Sequence, residues 1–358
     1  MRTRRLLGTL AGVGLGAAAA VATGVVVERR VVRSRRAGAR GAEVLGGLHS
    51  AAVPVVAEDG VKLHVEVDEV APYGGTPAAH SGEATIVFVH GYALNLDCWH
   101  FQRQHFRGKR RMVFYDQRSH GQSDRSSAAN ATIDQLGRDL ASVIEQVVPE
   151  GPVVLVGHSM GGMTILAFAE QFPEVFGERV VGTALVSTTA GGLRSHRVVS
   201  RWIPDVIGAQ LAPRLMAGLA RAPELIDSAR RRGSNIGFLV TDRFAFGDDV
   251  PASYVEFVDE MLAGTSFDVL AEFFPNFDTL DKFAVLHAFE RVPTLILVGT
   301  KDLLTSVGHS RKMASRITTA QLVECDGAGH MVILERKDRV NAALGELFDQ
   351  ADRQQAAS

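Results

Sequence analysis

The stretch that decides the fold is residues 153–162, which read VVLVGHSMGG. Its first four residues form a continuous apolar run, which is typical of a strand covered on both faces. The rest fits the pattern G-x-S-x-G, in which a serine occupies a sharp, strained turn between a strand and a helix. A helical pattern over Met160–Gln171 follows and ends before Pro173. We therefore predict that Ser159 is a nucleophile exposed at such a turn, with small neighbours that let the strand and the helix pass each other.

Similar apolar runs occur on both sides of this stretch, at 85–89, 112–115, 180–186, 294–298 and 321–323. Longer helical patterns separate most of them, and this alternation favours an α/β fold with a mostly parallel sheet flanked by helices. Residues 53–70 form two further strands around an Asp59-Gly60 turn, a strong hairpin signal. The core is predicted to comprise residues 53–190 and 291–350.

Between the two parts of this core, residues 191–290 lack a convincing strand and show several amphipathic helical patterns. This stretch holds ten of the chain's eighteen phenylalanines. Because the strand pattern resumes at Pro293, both ends of the stretch join the same sheet. We interpret it as a helical cap inserted into the core, with a separate helical domain as the alternative.

A serine hydroxyl becomes a useful nucleophile when a base removes its proton and a third group orients that base. In this type of fold the chain order is serine, acid, histidine. Asp302 follows the run at 294–298, and His330 lies in a glycine-rich loop after the run at 321–323. Both loops leave the sheet edge that carries Ser159, where open α/β sheets place their ligands. We predict that Ser159, Asp302 and His330 form a catalytic triad, the flexible loop bringing the His330 ring to Ser159, with Asp326 as a rival acid.

A tetrahedral intermediate also needs two backbone N–H groups directed at its oxyanion. One is expected from Met160, because amides in the first turn of a helix have no partner within the helix. The other is expected from Tyr92, in the loop His90-Gly91-Tyr92 after the run at 85–89. His90 itself is interpreted as a structural hydrogen-bonding residue.

These motifs resemble those of the α/β-hydrolase superfamily from about residue 53 to residue 348. They are HGY at 90–92, DQRSHGQS at 116–123, GHSMGG at 157–162, GTKD at 299–302 and GAGH at 327–330. The resemblance implies an α/β-hydrolase fold: a mostly parallel eight-stranded sheet with helices on both faces, an inserted helical cap and an acyl-enzyme mechanism. It also implies that the 116–123 segment is a structural loop near the site. Ser119 departs from the glycine that many relatives carry there.

The identity of the nucleophile narrows the chemistry. Epoxide hydrolases and haloalkane dehalogenases of this fold use a carboxylate at the position of Ser159, so those reactions are disfavoured. The expected function is cleavage of a carboxylic ester, a thioester or an amide in a small acyl or apolar substrate, without a cofactor. Cofactor-free haloperoxidase or perhydrolase activity on the same triad is one alternative, and a non-catalytic binding protein is another.

The N-terminus carries a different signal. Residues 6–27 contain no charged side chain and are flanked by arginines. As a helix they would span about 30 Å, the thickness of a bilayer's hydrocarbon core. We interpret residues 1–30 as a membrane or signal anchor and residues 31–52 as a basic tether, with a cleaved signal and a buried helix as alternatives. The arginine excess after the segment predicts a cytoplasmic catalytic domain, export being the alternative. Small residues on one helical ridge would allow two anchors to dimerise, although chance accounts for that spacing equally well; they are Gly8, Gly12, Gly16, Ala20 and Gly24.

Composition excludes several other classes of function. The 38 basic and 40 acidic residues nearly balance, which does not favour a nucleic-acid partner. Two cysteines, Cys98 and Cys325, are too few for a disulfide-stapled fold. His100 and His105 lack the companions of a zinc site, so no metal is expected.

Overall fold

The computed structural model describes residues 44–71, 83–193 and 241–357. Eight strands form one sheet in the order β1-β2-β4-β3-β5-β6-β7-β8. Only the pairings of β2 with β1 and with β4 are antiparallel. The strands are β1 (Ala52–Val56), β2 (Lys62–Asp68), β3 (Thr85–Val89), β4 (Met112–Tyr115), β5 (Val153–His158), β6 (Val180–Val186), β7 (Thr294–Gly299) and β8 (Gln321–Cys325). The predicted eight-stranded, mostly parallel sheet is confirmed.

Helices occupy the connections between these strands. The described helices are α1 (His100–Phe106), α2 (Ile133–Val147), α3 (Met160–Gln171), α4 (Ala252–Gly264), α5 (Phe267–Phe273), α6 (Pro275–Thr279), α7 (Val307–Ala314), α8 (Val332–Glu335) and α9 (Lys337–Ala357). Short 3-10 segments lie at Leu96–Trp99, Ala128–Asn130, Pro173–Val175 and Phe283–Arg291. The helix predicted after Ser159 has the expected bounds.

The central strands β3 to β7 are buried along their whole length, which explains why they are apolar almost without interruption. In β3, Ile86 and Phe88 pack into the layer that contains α1, α8 and α9. Val87 and Val89 point to the opposite face and pack against α2, α3 and α7. β3 therefore has two apolar faces, and helices cover both of them.

The strand order places one crevice at the centre of the sheet. β3 pairs with β4 on one side and with β5 on the other, so the chain changes direction across the sheet at this point. The loops after β3 and β5 leave the same edge on either side of the crevice. Open α/β sheets bind ligands at such a switch point.

Of the stretch interpreted as a cap, the structure describes residues 191–193 and 241–290, and the second of these parts is largely helical. α4, α5 and α6 lie in this insertion between β6 and β7. Its two ends meet in a short neck, where Gly191 bridges Asp281 and the Lys282 amide donates to the Ala190 carbonyl over 2.6 Å. The rest of the predicted cap, 194–240, lies outside the described residues.

The last part of the predicted tether lies against the core. The Ser50 amide donates to the Glu66 carboxylate over 2.8 Å, and the Gly46 amide donates to His100 Nδ1 over 3.2 Å. The predicted membrane segment and its ridge of small residues lie outside the described ranges and stay predictions. Among the helices that the structure does describe, none has the length and apolarity needed to cross a bilayer.

Candidate active site

Ser159 occupies the turn between β5 and α3, as the sequence pattern predicts. Its backbone has φ 53° and ψ −118°, a combination that residues other than glycine rarely adopt. The Ser159 amide is held by the Val186 carbonyl of the neighbouring strand over 2.9 Å. Strain that the surrounding structure maintains in this way is characteristic of functional positions.

The glycines around Ser159 are required by close backbone contacts. A Cβ atom at Gly157 would lie 2.6 Å from the backbone of Gly161, and one at Gly161 would lie 2.1 Å from the Val89 carbonyl oxygen. A Cβ atom at Gly162 would lie 2.5 Å from the Thr188 side chain. These distances are far below van der Waals contact, so larger residues would push α3 away from β3 and β5.

The three predicted triad residues converge above this edge of the sheet. His330 Nε2 lies 2.9 Å from Ser159 Oγ, and His330 Nδ1 lies 3.0 Å from Asp302 Oδ2. Asp302 and His330 are buried, whereas Ser159 is half-buried and reachable from outside. The distances suit general-base catalysis, in which the imidazole accepts a hydrogen bond from the serine hydroxyl and donates one to the carboxylate.

Asp302 is held as a carboxylate by several donors. Its Oδ1 accepts from the Leu304 amide over 2.8 Å and from the Thr305 amide over 2.9 Å. Its Oδ2 accepts from Thr305 Oγ1 over 2.8 Å and faces the His330 ring. Burial by itself raises the pKa of the Asp302 carboxyl, but the adjacent His330 and the Thr305 donors outweigh it and lower that pKa from 3.8 to about 2. The group is therefore ionised at neutral pH.

The other candidates lie elsewhere. Asp326 is exposed, and its carboxylate accepts from Thr300 Oγ1 over 3.3 Å. The exposed His287 lies 2.7 Å from the Ala284 carbonyl through Nδ1. His309 Nδ1 lies 2.9 Å from Thr189 Oγ1 at the neck of the insertion. The structure brings none of these three beside Ser159.

The loop that carries His330 is anchored, in contrast to the flexibility expected from its glycines. Glu335 Oε1 accepts from the Gly329 amide over 2.7 Å, and Oε2 accepts from the Gly247 amide over 3.0 Å. The Met331 amide donates to the Ala245 carbonyl over 2.8 Å. The glycines serve close packing instead, since a Cβ atom at Gly329 would lie 2.5 Å from the Gly247 nitrogen.

The two predicted oxyanion donors, Met160 and Tyr92, belong to segments that meet at Ser159. Met160 is the first residue of α3, so its N–H has no partner within the helix. The loop that carries Tyr92 passes close by, because a Cβ atom at Gly91 would lie 3.1 Å from Ser159 Cβ. The oxyanion role of the two amides is compatible with this arrangement and stays a prediction.

A buried polar network holds the Tyr92 loop. His90 Nδ1 donates to the Gly91 carbonyl over 2.7 Å, while His90 Nε2 accepts from the Gln117 amide over 2.9 Å. The Gln117 side chain donates to the His90 carbonyl over 2.7 Å and accepts from Thr164 Oγ1 of α3 over 2.7 Å. Burial lowers the pKa of His90 to about 3, which keeps the ring neutral and maintains these roles. The structural role expected for His90 is thus observed.

His158 has a comparable supporting role on the other side of the nucleophile. Its Nε2 donates to the His330 carbonyl over 3.0 Å. Burial, together with the nearby His330, lowers the pKa of His158 to about 3. A neutral His158 therefore fixes the backbone of His330 without adding a charge beside the triad.

An apolar surface borders the oxyanion loop. Met160 is fully buried in a cluster with Phe273, and the half-buried Tyr92, Leu193 and Phe277 pack against that cluster. The Tyr92 ring meets the Phe277 ring edge-on at 5.0 Å, and the Tyr92 hydroxyl donates to the Leu270 carbonyl of α5 over 2.5 Å. The inserted helices thus contribute directly to the surroundings of the site.

The sequence profile of the alpha/beta hydrolase family matches residues 86–343, which is most of the chain and includes all five motifs. The chain belongs to the alpha/beta hydrolase family. Epoxide hydrolase 1 of Caenorhabditis elegans is 26% identical over 273 residues, covering 74% of this chain and 64% of that protein, so the chain spans less than two thirds of this relative.

Two further alpha/beta hydrolase relatives cover more of their own length. The 3-oxoadipate enol-lactonase 2 of Acinetobacter baylyi is 26% identical over 263 residues, covering 72% of this chain and 86% of that protein. A thermophilic esterase from Thermogutta terrifontis has a TM-score of 0.62 at 21% identity, with 85% of this chain and 100% of that chain covered. At this identity the structural likeness shows the shared alpha/beta hydrolase fold.

The sequence patterns do not predict the contacts of four supporting residues of this alpha/beta hydrolase. Thr305 and Glu335 hold the acid and histidine loops, and Gln117 and Thr164 hold the oxyanion loop. Gln117 lies in the 116–123 motif, for which the resemblance implies a structural role, so its position carries a signal that the other three residues lack. That motif does act structurally: Asp116 accepts from the Leu96 and Gln122 amides over 2.8 Å each. Ser119 has φ 65°, a left-handed conformation that glycine adopts without strain, which accounts for the glycine that many relatives carry at this position.

Cys98 and Cys325 are both free and buried. Within the ranges that the structure covers, no group of three His, Cys, Asp or Glu side chains is arranged to hold a metal ion.

Proposed function

We propose that this alpha/beta hydrolase is a serine hydrolase that cleaves a carboxylic ester through an acyl-enzyme on Ser159. The observation that carries the proposal is the continuous contact from Ser159 Oγ through the His330 ring to Asp302, at 2.9 Å and 3.0 Å. The enol-lactonase and the esterase among the similar proteins support the same class of reaction.

In the proposed first step Ser159 Oγ attacks the carbonyl carbon of the substrate while His330 Nε2 removes the hydroxyl proton. His330 becomes an imidazolium, which the carboxylate of Asp302 stabilises through Nδ1–H. The carbonyl oxygen becomes an oxyanion that accepts from the Tyr92 and Met160 amides. The intermediate collapses when the alcohol leaves and takes the proton from His330 Nε2.

The second step repeats this chemistry with water as the nucleophile. His330 Nε2 removes a proton from water as the water oxygen attacks the acyl carbon. The intermediate then collapses: the bond between Ser159 Oγ and the acyl carbon breaks, Oγ takes the proton from His330 Nε2, and the carboxylic acid leaves. No cofactor is required, because every proton is exchanged between Ser159, His330, substrate and water.

The substrate is proposed to be a small molecule with an apolar acyl part. The half-buried Tyr92, Leu193 and Phe277 lie against the same cluster as Met160, so apolar surface borders the oxyanion donors. An acyl chain bound there would contribute roughly 25 cal/mol of favourable free energy for each Å² of apolar surface that it buries. A thioester or amide would use the same groups, with a poorer leaving group in the amide.

A labelling experiment tests the proposal. The full-length protein is treated with a fluorophosphonate probe and assayed on p-nitrophenyl acetate, butyrate, octanoate and palmitate. We expect labelling and hydrolysis in the wild type, and loss of labelling with a fall in kcat of about 10⁴-fold or more in Ser159→Ala. Ser310→Ala replaces a buried serine on α7 and should keep both properties. A folded wild type that neither reacts with the probe nor cleaves any ester would exclude the proposal and favour a binding protein.

A further inference from the structure

Thr305 contacts the acid and the base of the site at once. It lies three residues after Asp302, just before α7, and its side chain is buried. Its Oγ1 is 2.8 Å from Asp302 Oδ2 and 3.4 Å from His330 Nδ1, and its amide is 2.9 Å from Asp302 Oδ1. No other described side chain apart from His330 bonds the Asp302 carboxylate.

These contacts fix both the orientation and the charge of Asp302. The Leu304 and Thr305 amides bond Oδ1, whereas the partners of Oδ2 are the side chains of His330 and Thr305. The Thr305 hydroxyl adds a second donor at Oδ2, in competition with His330 Nδ1–H for the same oxygen. A second donor reduces the negative charge that this oxygen presents to the imidazole.

We propose that Thr305 is a positioning residue of the triad, which locks the Asp302 carboxylate in the plane that receives His330 and moderates its attraction for the imidazolium. This inference rests on the proposed function of Ser159, Asp302 and His330. It assigns Thr305 no contact with substrate, because its side chain is buried.

The remaining titratable groups around His330 are few, so the effect of Thr305 is measurable. His158 lies behind the ring at a centroid distance of 4.9 Å and is neutral, since burial lowers its pKa to about 3. Burial also lowers the pKa of His309, which lies near Asp302 on α7. Glu335 bonds the backbone of the histidine loop at Gly329 and Gly247. None of these three is bonded to the Thr305 hydroxyl.

The test compares Thr305→Val and Thr305→Ser with the wild type in full pH profiles of p-nitrophenyl butyrate hydrolysis. Valine keeps the shape of threonine and removes the donor, whereas serine keeps the donor. For Thr305→Val we expect a roughly tenfold fall in kcat with KM nearly constant, because a carboxylate held by one bond fewer orients His330 less well, and this loss outweighs its stronger attraction for the imidazolium. Oδ2 would then attract the imidazolium more strongly, so the acidic limb of the kcat/KM profile should move to higher pH. Thr305→Ser should restore most of kcat and the original limb.

Thr183→Val is the matched control. Thr183 is a fully buried threonine of β6 whose hydroxyl bonds Thr294 Oγ1 at 2.9 Å, away from the site. Thr183→Val should lose about as much thermal stability as Thr305→Val and keep the wild-type pH profile. The inference is overturned if Thr305→Val keeps the wild-type kcat and acidic limb, or if Thr305→Ser loses as much kcat as Thr305→Val. A wild type without probe labelling would instead overturn the proposed function, so the two failures are distinguishable.

Discussion

Replacing Gly161 with alanine should impair both the fold and the proposed reaction, because this position joins the nucleophile turn to the oxyanion loop. The added Cβ would lie 2.1 Å from the Val89 carbonyl oxygen and 2.7 Å from the His90 carbonyl oxygen. Non-bonded carbon atoms pack best at about 3.5–4.0 Å, so the backbones must separate by roughly 1 Å. Both partners are main-chain atoms, and no side-chain rotation relieves the contact.

The displacement would reach the site through a short path. Val89 and His90 lead directly into the loop that carries the Tyr92 amide, so that amide would move relative to Ser159. A misplacement of about 1 Å costs on the order of 10²-fold in rate when it affects catalytic alignment. Overpacking a well-packed interior costs about 1–3 kcal/mol of stability. We therefore expect Gly161→Ala to lower kcat about 100-fold and to lower the free energy of unfolding by at least about 2 kcal/mol.

Urea denaturation and p-nitrophenyl butyrate kinetics measure the two effects separately. Gly264→Ala is the control, since Gly264 is the last residue of α4 and a Cβ atom there meets nothing within 4 Å. It should leave kcat unchanged and leave stability unchanged or raised by up to about 1 kcal/mol, because alanine favours a helix over glycine. If Gly161→Ala retained wild-type kcat and the wild-type urea midpoint, the steric account of this turn would be wrong.

Two further predictions concern buried charges. Asp139→Asn should lower the free energy of unfolding, measured in urea, by about 3 kcal/mol, because the buried Arg118 loses its two 2.6 Å bonds to the Asp139 carboxylate. As a control, Asp349→Asn breaks the pair of the exposed Asp349 with Arg110 and should lower that free energy by less than about 1 kcal/mol. Asp302 has a folded pKa of about 2 against 3.8, so its contribution is complete above about pH 4 and is lost as pH falls towards 2. The wild type should therefore lose about 2 kcal/mol more than Asp302→Asn over that range, and parallel stability curves for the two proteins would contradict the assignment.

Much of the fold could be predicted because each element is encoded by its own residues. The run at 153–156 is apolar at every position, and such a run identifies a strand covered on both faces without knowledge of its neighbours. Gly157 and Gly161 identify the turn, since close backbone approach leaves no room for a side chain there. Chain order then singled out Asp302 and His330, which the structure places in contact.

The supporting contacts could not be predicted in the same way. Glu335 accepts from Gly329 and Gly247, and Gln117 joins the His90 loop to Thr164, across 47 residues in the second case. A glutamate or a glutamine at such a position has no spacing that distinguishes it from a surface residue. The expectation of a flexible histidine loop is wrong because the acceptor that anchors this loop, Glu335, lies outside it, in α8.

By itself the sequence determined the order of the strands along the chain, the strained turn at Ser159 and the residue types available for acyl transfer. Those features depend on local preferences, on apolar periodicity and on which residues lack a side chain. Only the tertiary structure decided that the imidazole at 330 lies 2.9 Å from Ser159 Oγ and that Thr305 shares the carboxylate of Asp302. Distances of that kind depend on how α3, β7 and β8 pack together, and packing is a property of the whole core.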